Sequence, residues 1–154
     1  MMKNLQNYKV NNKKVLFRAD LNVPVLDGVI TDPSRILAIK SSIDNLIATK
    51  NKIFILAHFG RPKGEVIEKY SLKFILSSLT NILDLKKIHF LKNFQKENIT
   101  KKIDEMNPGE VCLVENIRFE KKEEKIDWDF AKNISSVFDV YVNDAFSASH
   151  RNHT

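Results

Sequence analysis

Residues 14–24 of the chain read Lys14-Val-Leu-Phe-Arg18-Ala-Asp20-Leu-Asn22-Val-Pro24. The apolar run at residues 15–17 is typical of a buried strand, and after it Asp20 and Asn22 alternate with apolar residues. Pro24 ends the stretch, because proline has no N–H to give to a sheet. The pattern therefore predicts a buried strand that presents a carboxylate and an amide at the edge of a sheet.

The rest of the chain alternates short apolar runs with amphipathic segments. Asp32 is expected to cap the first helix, and residues 115–118 are expected to continue the fourth strand. Because strands alternate with helices and most strands are apolar throughout, the pattern predicts a parallel sheet covered by helices on both faces. The expected fold class is α/β, a three-layer α/β/α arrangement with a mostly parallel sheet. Further strands are predicted at residues 52–57, 87–91, 111–114 and 140–142, and helices at 32–49, from Ser71, at 100–106 and from Asp127.

The composition indicates one domain in the cytosol. The chain has 154 residues, of which 43% are hydrophobic and 29% charged, which suits a packed core with a charged surface. It contains no apolar run long enough to span a membrane, and its first residues lack the apolar core of a signal peptide. Its single cysteine, Cys112, lies in an apolar strand, which excludes a disulfide within the chain.

The charge pattern bears on possible partners. A net charge of +6 raises the possibility of nucleic-acid binding, but the lysines are spread along the chain, which favours a charged surface instead. The four glycines do not cluster, so the chain has no glycine-rich loop of the kind that wraps nucleotide phosphates.

Polar and cationic side chains follow several strands at the points where those strands end. Because the carboxyl ends of parallel strands meet at one edge of a sheet, these side chains are expected to converge there. Arginine offers a planar fork that binds carboxylate or phosphate through two hydrogen bonds, so the expected ligand is a small polyanion. The residues concerned are Asp20, Asn22, His58, Arg61, Arg118, Asp144, His150 and Arg151, joined by Arg35 at the start of a helix.

Each of these residues also has a structural interpretation. Arg18, inside an apolar run, suits a partly buried structural arginine, Asp20 alone suits a turn, and His58 suits a buried strand end. The arginines taken singly suit the surface. His150 and His153 have a spacing that suits a metal, but neither a cysteine nor a third histidine lies nearby in the sequence.

Four motifs carry a resemblance to a known family. They are residues 15–24, His58-Phe-Gly-Arg61-Pro-Lys-Gly, Glu115-Asn-Ile-Arg118-Phe and Asn143-Asp-Ala-Phe-Ser-Ala-Ser-His150-Arg151. Each is long, and together they closely resemble the signature of phosphoglycerate kinases, in register from about Lys13 to the end of the sequence.

The resemblance implies Rossmann-like lobes and a reaction that transfers a phosphoryl group between 1,3-bisphosphoglycerate and ADP. It also implies that Arg35 acts in catalysis by stabilising the transferring phosphoryl group. The residues that it assigns to binding of 3-phosphoglycerate or 1,3-bisphosphoglycerate are Asp20, Leu21, Asn22, Arg35, His58, Phe59, Gly60, Arg61, Arg118 and Arg151.

The length of the chain qualifies what it does alone. Residues 1–154 would form the N-terminal, 3-phosphoglycerate-binding domain, whereas Mg-ATP or Mg-ADP binds to a C-terminal lobe that they do not include. No cofactor or metal is therefore expected on this chain, and no turnover. The alternative is a binding or complementation module that needs a separate C-terminal lobe. Neither a nucleic-acid nor a membrane partner is expected; the family is usually monomeric, but exposed apolar surface on the shortened chain favours self-association.

Overall fold

The computed structural model describes residues 4–121 and 128–145. The elements within these ranges alternate between strand and helix along most of the chain, as the sequence predicts. Short 3₁₀ turns occupy Glu68–Tyr70, Leu72–Ile75 and Ile117–Phe119. The longer elements are β1 (Lys14–Ala19), β2 (Val25–Leu26), β3 (Val29–Ile30), α1 (Ser34–Ala48), β4 (Lys52–Leu56), α2 (Leu76–Ile82), β5 (His89–Leu91), α3 (Lys96–Glu105), β6 (Val111–Val114), α4 (Trp128–Ser135) and β7 (Val140–Asp144).

Five of these strands form one sheet in the order β5-β6-β4-β1-β7, and every neighbouring pair is parallel. The central strand β4 is buried along almost its whole length, as expected of a sheet covered on both faces. Strands β2 and β3 form a separate antiparallel hairpin. Its two turn residues, Asp27 and Gly28, have positive φ angles of 50° and 76°, the combination typical of a type I′ turn.

Two hydrophobic cores lie on opposite faces of the sheet, because successive strand side chains point to opposite sides. Val15 and Phe17 of β1 belong to the first core, together with the buried faces of α1 and α2. Leu16 of the same strand belongs to the second core, with buried residues of α3 and α4. The predicted three-layer α/β/α architecture is therefore confirmed.

Several predicted boundaries are wrong by a few residues. Strand β1 ends at Ala19, because the chain turns at once: the Asn22 N–H donates to Asp20 Oδ1 at 3.2 Å and the Val23 N–H to the Leu21 carbonyl at 2.8 Å. Residues 115–118 do not continue β6 but enter a 3₁₀ turn. The cap of α1 is shifted by one residue to Pro33, although Asp32 still accepts the Ser34 N–H at 2.9 Å.

The connections that follow the adjacent strands β4 and β6 lead to opposite faces of the sheet. After β4 the chain passes to α2 in the first core, whereas after β6 it passes to α4 in the second core. Neighbouring parallel strands whose connections leave to opposite faces open a crevice at their carboxyl ends, where ligands bind in such folds. Within the described ranges, no helix has both the length and the apolar character that a membrane span requires.

Candidate functional site

The order of the strands determines which candidate residues become neighbours. Arg118 follows β6, residues 58–61 follow β4, and residues 20–22 follow β1, and these three strands are adjacent in the sheet. Three loops that are far apart in the sequence therefore meet at one edge. Strand β7, on the other side of β1, leads to Arg151, which lies outside the described residues.

Arg35 reaches the loop after β1 from the first turn of α1. Its Nη1 donates to Asp20 Oδ1 at 2.6 Å, and the arginine side chain is 45% exposed. The distance marks a charge-assisted hydrogen bond, which holds the guanidinium at the sheet edge while leaving much of it open to solvent. Arg35 therefore lies where the sequence predicts it.

Gly60 joins the loops that follow β1, β4 and β6. Its N–H donates to Asn22 Oδ1 at 3.1 Å, and its carbonyl accepts from Arg118 Nη1 at 3.1 Å. Its φ of 62° lies in the left-handed region, and a Cβ here would collide with the ring of Tyr70. Glycine is thus the residue that allows the backbone to approach both partners.

His58 and Arg61 flank this glycine in different environments. His58 is 8% exposed, whereas Arg61 is exposed and makes no hydrogen bond or ion pair with any residue that the structure describes. Phe59, between them, packs its ring against those of Tyr70 and Phe74. Leu21 is fully buried in the first core, so neither its side chain nor its backbone is exposed to a ligand in this structure.

Sequence reasoning missed two residues that organise the site, Glu115 and Asn116. The Asn116 side chain binds both backbone groups of Phe59, and Glu115 accepts from Ser71 Oγ at 2.6 Å and from the Leu72 N–H at 2.7 Å. The available signal was the position of Asn116, two residues before Arg118 and directly after a strand. Asparagine there often caps a following turn, as Asn116 does by accepting the Arg118 N–H at 3.1 Å.

Two further residues lie on the strands beneath the site. Arg18 is 5% exposed, in agreement with a structural role, and it pairs in register with Asn143 of β7. Asp144 pairs with Ala19 at the carboxyl end of β7, and burial raises the pKa of its carboxyl above the usual value. His150 and His153, whose spacing suits a metal, lie outside the described residues.

Two observations bear on whether the described residues could hold a magnesium–nucleotide group. None of the described carboxylates, histidines and thiols form a group of three able to hold a metal ion. The positive φ of Gly60 serves a contact with other loops, and the sequence has no cluster of glycines to wrap a triphosphate.

The arrangement is suited to binding an anion. Arg35 and Arg118 are hydrogen-bonded to the loops of the site, and Arg61 directly follows Gly60 in one of them. The nearby carboxylates of Asp20 and Glu115 already accept hydrogen bonds from other residues of the protein. Guanidinium groups held in this way bind carboxylate or phosphate through charge-assisted hydrogen bonds. Whether each predicted residue contacts the ligand stays a prediction.

Comparisons with known proteins agree with the motifs and the fold. The family model described as phosphoglycerate kinase matches residues 5–154. The phosphoglycerate kinase of Rhizobium meliloti is 47% identical over 144 residues, which cover 94% of this chain and 36% of that protein. The structure of phosphoglycerate kinase from Pyrococcus horikoshii superposes with a TM-score of 0.85 at 31% identity, covering 99% of this chain and 38% of that one.

A third comparison gives the same result. The structure of phosphoglycerate kinase from Coxiella burnetii superposes with a TM-score of 0.83 at 32% identity, covering 97% of this chain and 36% of that one. The chain thus spans a little over a third of the length of the relatives it matches. Because the family model extends over nearly all of its residues, the chain belongs to the phosphoglycerate kinase family.

Proposed function

We propose that this chain forms the 3-phosphoglycerate-binding domain of a phosphoglycerate kinase, with residues 1–154 as that N-terminal domain. In the family's reaction, a phosphoryl group passes between 1,3-bisphosphoglycerate and ADP, giving 3-phosphoglycerate and ATP, a step of glycolysis. The observation that carries the proposal is the pair of hydrogen bonds made by the Gly60 backbone. They connect Asn22 and Arg118 to the loop that contains Arg61.

The substrate's chemistry matches the charges of the site. 3-Phosphoglycerate carries a carboxylate at one end and a phosphate at the other, so it needs cations on both sides. Arg35, with Asp20 and Asn22, would bind the glycerate end, and Arg35 would also stabilise the transferring phosphoryl group. His58, Arg61, Arg118 and Arg151 would hold the 3-phosphate.

We propose that the chain binds this substrate without turning it over alone. Phosphoryl transfer depends on holding both reactants in line and on neutralising the charge of the transferring group. The sequence has no cluster of glycines that could wrap nucleotide phosphates, and the described residues contain no group of three metal-binding side chains, which supports a site for the second reactant elsewhere. Mg-ATP or Mg-ADP would bind to a separate nucleotide lobe.

A titration tests the binding site. Adding 3-phosphoglycerate to the 154-residue chain should produce a saturable change in its NMR spectrum. Arg61→Gln should weaken the affinity about tenfold or more, because it removes one charge-assisted hydrogen bond. Lys87→Gln is the matched control, because it removes the same charge just before β5, at the amino ends of the strands and away from the site. It should leave the affinity unchanged. The absence of saturation at millimolar ligand would contradict the proposal.

A coupled assay tests the lack of turnover. With Mg-ATP and 3-phosphoglycerate, the chain alone should form ADP no faster than a blank. Turnover by the isolated chain would contradict this part of the proposal. If a separately produced nucleotide lobe of a relative restores activity on mixing, the chain acts as the complementation module that the sequence also suggests.

We further propose a cytosolic location and the absence of nucleic-acid or membrane partners. The support is the free thiol of Cys112, which suits a reducing compartment, and the scattered lysines. A gel shift with duplex DNA or RNA at physiological salt should be negative. A salt-resistant shift would overturn the expectation about nucleic acids.

A further inference from the structure

Asn116 makes a set of contacts that the anion-binding residues do not explain. Its Oδ1 accepts the N–H of Phe59 at 3.2 Å and that of Arg118 at 3.1 Å. Its Nδ2 donates to the carbonyls of Phe59 at 2.6 Å and Tyr70 at 2.9 Å. The side chain is almost fully buried, so its whole hydrogen-bonding capacity is spent inside the protein.

These four bonds connect three segments that meet at the sheet edge. They join the loop after β4 to the turn after β6 and to residue 70, at the end of a 3₁₀ turn. The next residue along the chain from Phe59 is Gly60, whose carbonyl accepts from the Arg118 side chain. One amide therefore fixes the backbone that carries His58 to Arg61 and the backbone of Arg118 at the same time.

We propose that Asn116 is a positioning residue that holds the Phe59–Gly60 backbone and Arg118 in the arrangement that binds the phosphate. The inference rests on the proposed function, because it assigns to Asn116 a part in that same site. Asn116 is buried and does not reach the ligand; it acts through Arg118 and through the loop that bears Arg61. Donors held in place before the ligand arrives need no reordering on binding, which raises affinity.

The chemistry of the side chain explains why an amide is required. Aspartate of the same shape would keep both acceptor contacts but lose both donors, and it would bring a negative charge to an anion site. Serine would still cap the turn through the Arg118 N–H but is too short to reach Phe59 and Tyr70 as well. Alanine would lose all four bonds.

The test needs a control that separates positioning from general stability. Asn51 supplies one, because it is also fully buried and its side chain also makes four hydrogen bonds, to Lys13, Val10, Leu46 and Thr49. It lies just before β4, at the amino ends of the strands, whereas the site lies at their carboxyl ends. Asn51→Ala should therefore lower stability much as Asn116→Ala does, without touching the anion site.

The experiment measures 3-phosphoglycerate affinity and the melting temperature for the same samples of the 154-residue chain. Asn116→Ala should bind about tenfold more weakly than the wild type, and Asn116→Ser about threefold more weakly, while Asn51→Ala should bind normally. Titrations below the melting temperature report folded molecules only, so loss of stability alone does not change the affinity. Asn116→Ser carries the test if the alanine variant does not fold.

A second readout follows the backbone directly. The chain has four glycines, so the Gly60 amide signal is readily assigned by NMR. In the free protein this signal should move in Asn116→Ala and stay in place in Asn51→Ala, because only the first change releases the Phe59–Gly60 loop.

The possible outcomes separate the two proposals. If the wild type binds and the Asn116 variants bind equally well, the positioning role is wrong and the proposed function stands. If Asn51→Ala weakens binding as much as Asn116→Ala, the effect is not specific to the contacts of Asn116 and the positioning role is again wrong. If the wild type itself does not bind, the proposed function is wrong and the inference falls with it.

Discussion

At the scale of single residues, Gly60 is the position where backbone geometry and the site depend on each other most closely. Both Gly60 and Gly28 have positive φ angles, 62° and 76°, but a Cβ would collide with Tyr70 only at Gly60, since nothing lies within 4 Å of the same position at Gly28. Alanine substitutions at the two glycines therefore separate the energetic cost of backbone strain from the cost of a steric collision.

We expect Gly28→Ala to lower the free energy of unfolding by about 1 kcal/mol, the cost of placing alanine in the left-handed region. Gly60→Ala should cost about 1–3 kcal/mol more, because the Tyr70 ring must also move. Urea unfolding measures both variants. Equal losses would show that Tyr70 accommodates the added methyl group freely.

Cys112 provides a reporter of unfolding within the second core. It is fully buried in β6, and burial raises the pKa of its thiol to about 12. Because the thiolate is the reactive form, we expect the native chain to resist a thiol reagent at about pH 8, and denaturant to release one reactive thiol per chain. Absorbance of the released chromophore measures this, and rapid complete labelling of the native chain would contradict it.

At the scale of elements, a side-chain contact between His89 and Glu110 supplements the backbone pairing of the short edge strand β5 with β6. His89 Nε2, at the start of β5, lies 2.8 Å from Glu110 Oε2, just before β6. The backbone N–H of Asn107 and the imidazole of His89 together lower the pKa of the Glu110 carboxyl. A lowered folded-state pKa means that the ionised form stabilises the fold above the unfolded pKa of about 4.3, and that this contribution disappears as the pH falls through the folded value.

We therefore expect Glu110→Gln to lower the free energy of unfolding by about 0.5–1 kcal/mol near neutral pH. The difference from the wild type should shrink as the pH falls from neutral through the folded pKa of Glu110, because the wild-type carboxylate then becomes protonated. Urea unfolding across this range measures it. Glu65→Gln is the control, because that side chain is exposed and makes no ion pair within the described part of the chain. A constant difference at every pH would exclude the ionised carboxylate as the cause.

The elements also differ in how well their sequences predict them. Strand β6 has the predicted bounds, because four consecutive apolar residues between turn signals leave little choice. The helix predicted from Ser71 instead begins as a 3₁₀ turn and becomes α-helical only at Leu76. Glu115 binds Ser71 and the Leu72 N–H from 43 or 44 residues away, a constraint that no local pattern contains.

The start of α3 was missed for a different reason. The sequence predicts that helix from Thr100, but it begins at Lys96 after Gln95, whose side chain makes no capping hydrogen bond. A helix start without a capping side chain lacks the strongest sequence signal, and here only Glu97 in the first turn marks it. The candidate site shows the same contrast between local signals and long-range contacts. Its charged residues could be predicted from their positions directly after strands, whereas Asn116 was missed because the carbonyls it binds are 46 and 57 residues away in the sequence.

At the scale of the whole molecule, the strand order creates the site. The alternation of strands and helices predicts a parallel sheet but not its order, since the order depends on which helix crosses which face. In the observed order β6, β4 and β1 are neighbours, so the three loops with Arg118, His58 and Asp20 meet. The order also leaves β7 at one edge of the sheet.

Strand β7 is the feature that bears on self-association. In the described sheet it pairs with β1 only, its residues are half-buried and exposed in turn, and Tyr141 is 59% exposed. An edge strand with a large apolar side chain presents backbone donors and acceptors to another chain, and a charged residue on such an edge opposes pairing. We expect the 154-residue chain to associate with a second copy of itself through β7.

Light scattering at increasing protein concentration measures this association as a rise in average mass above that of one chain. Tyr141→Lys should suppress the rise, because pairing would then bury a lysine charge at the edge. Leu37→Lys, which places the same charge at a 54% exposed position on α1, should not suppress it. A wild-type mass that stays at the single-chain value throughout would rule out association, and equal suppression by both variants would place it on another surface.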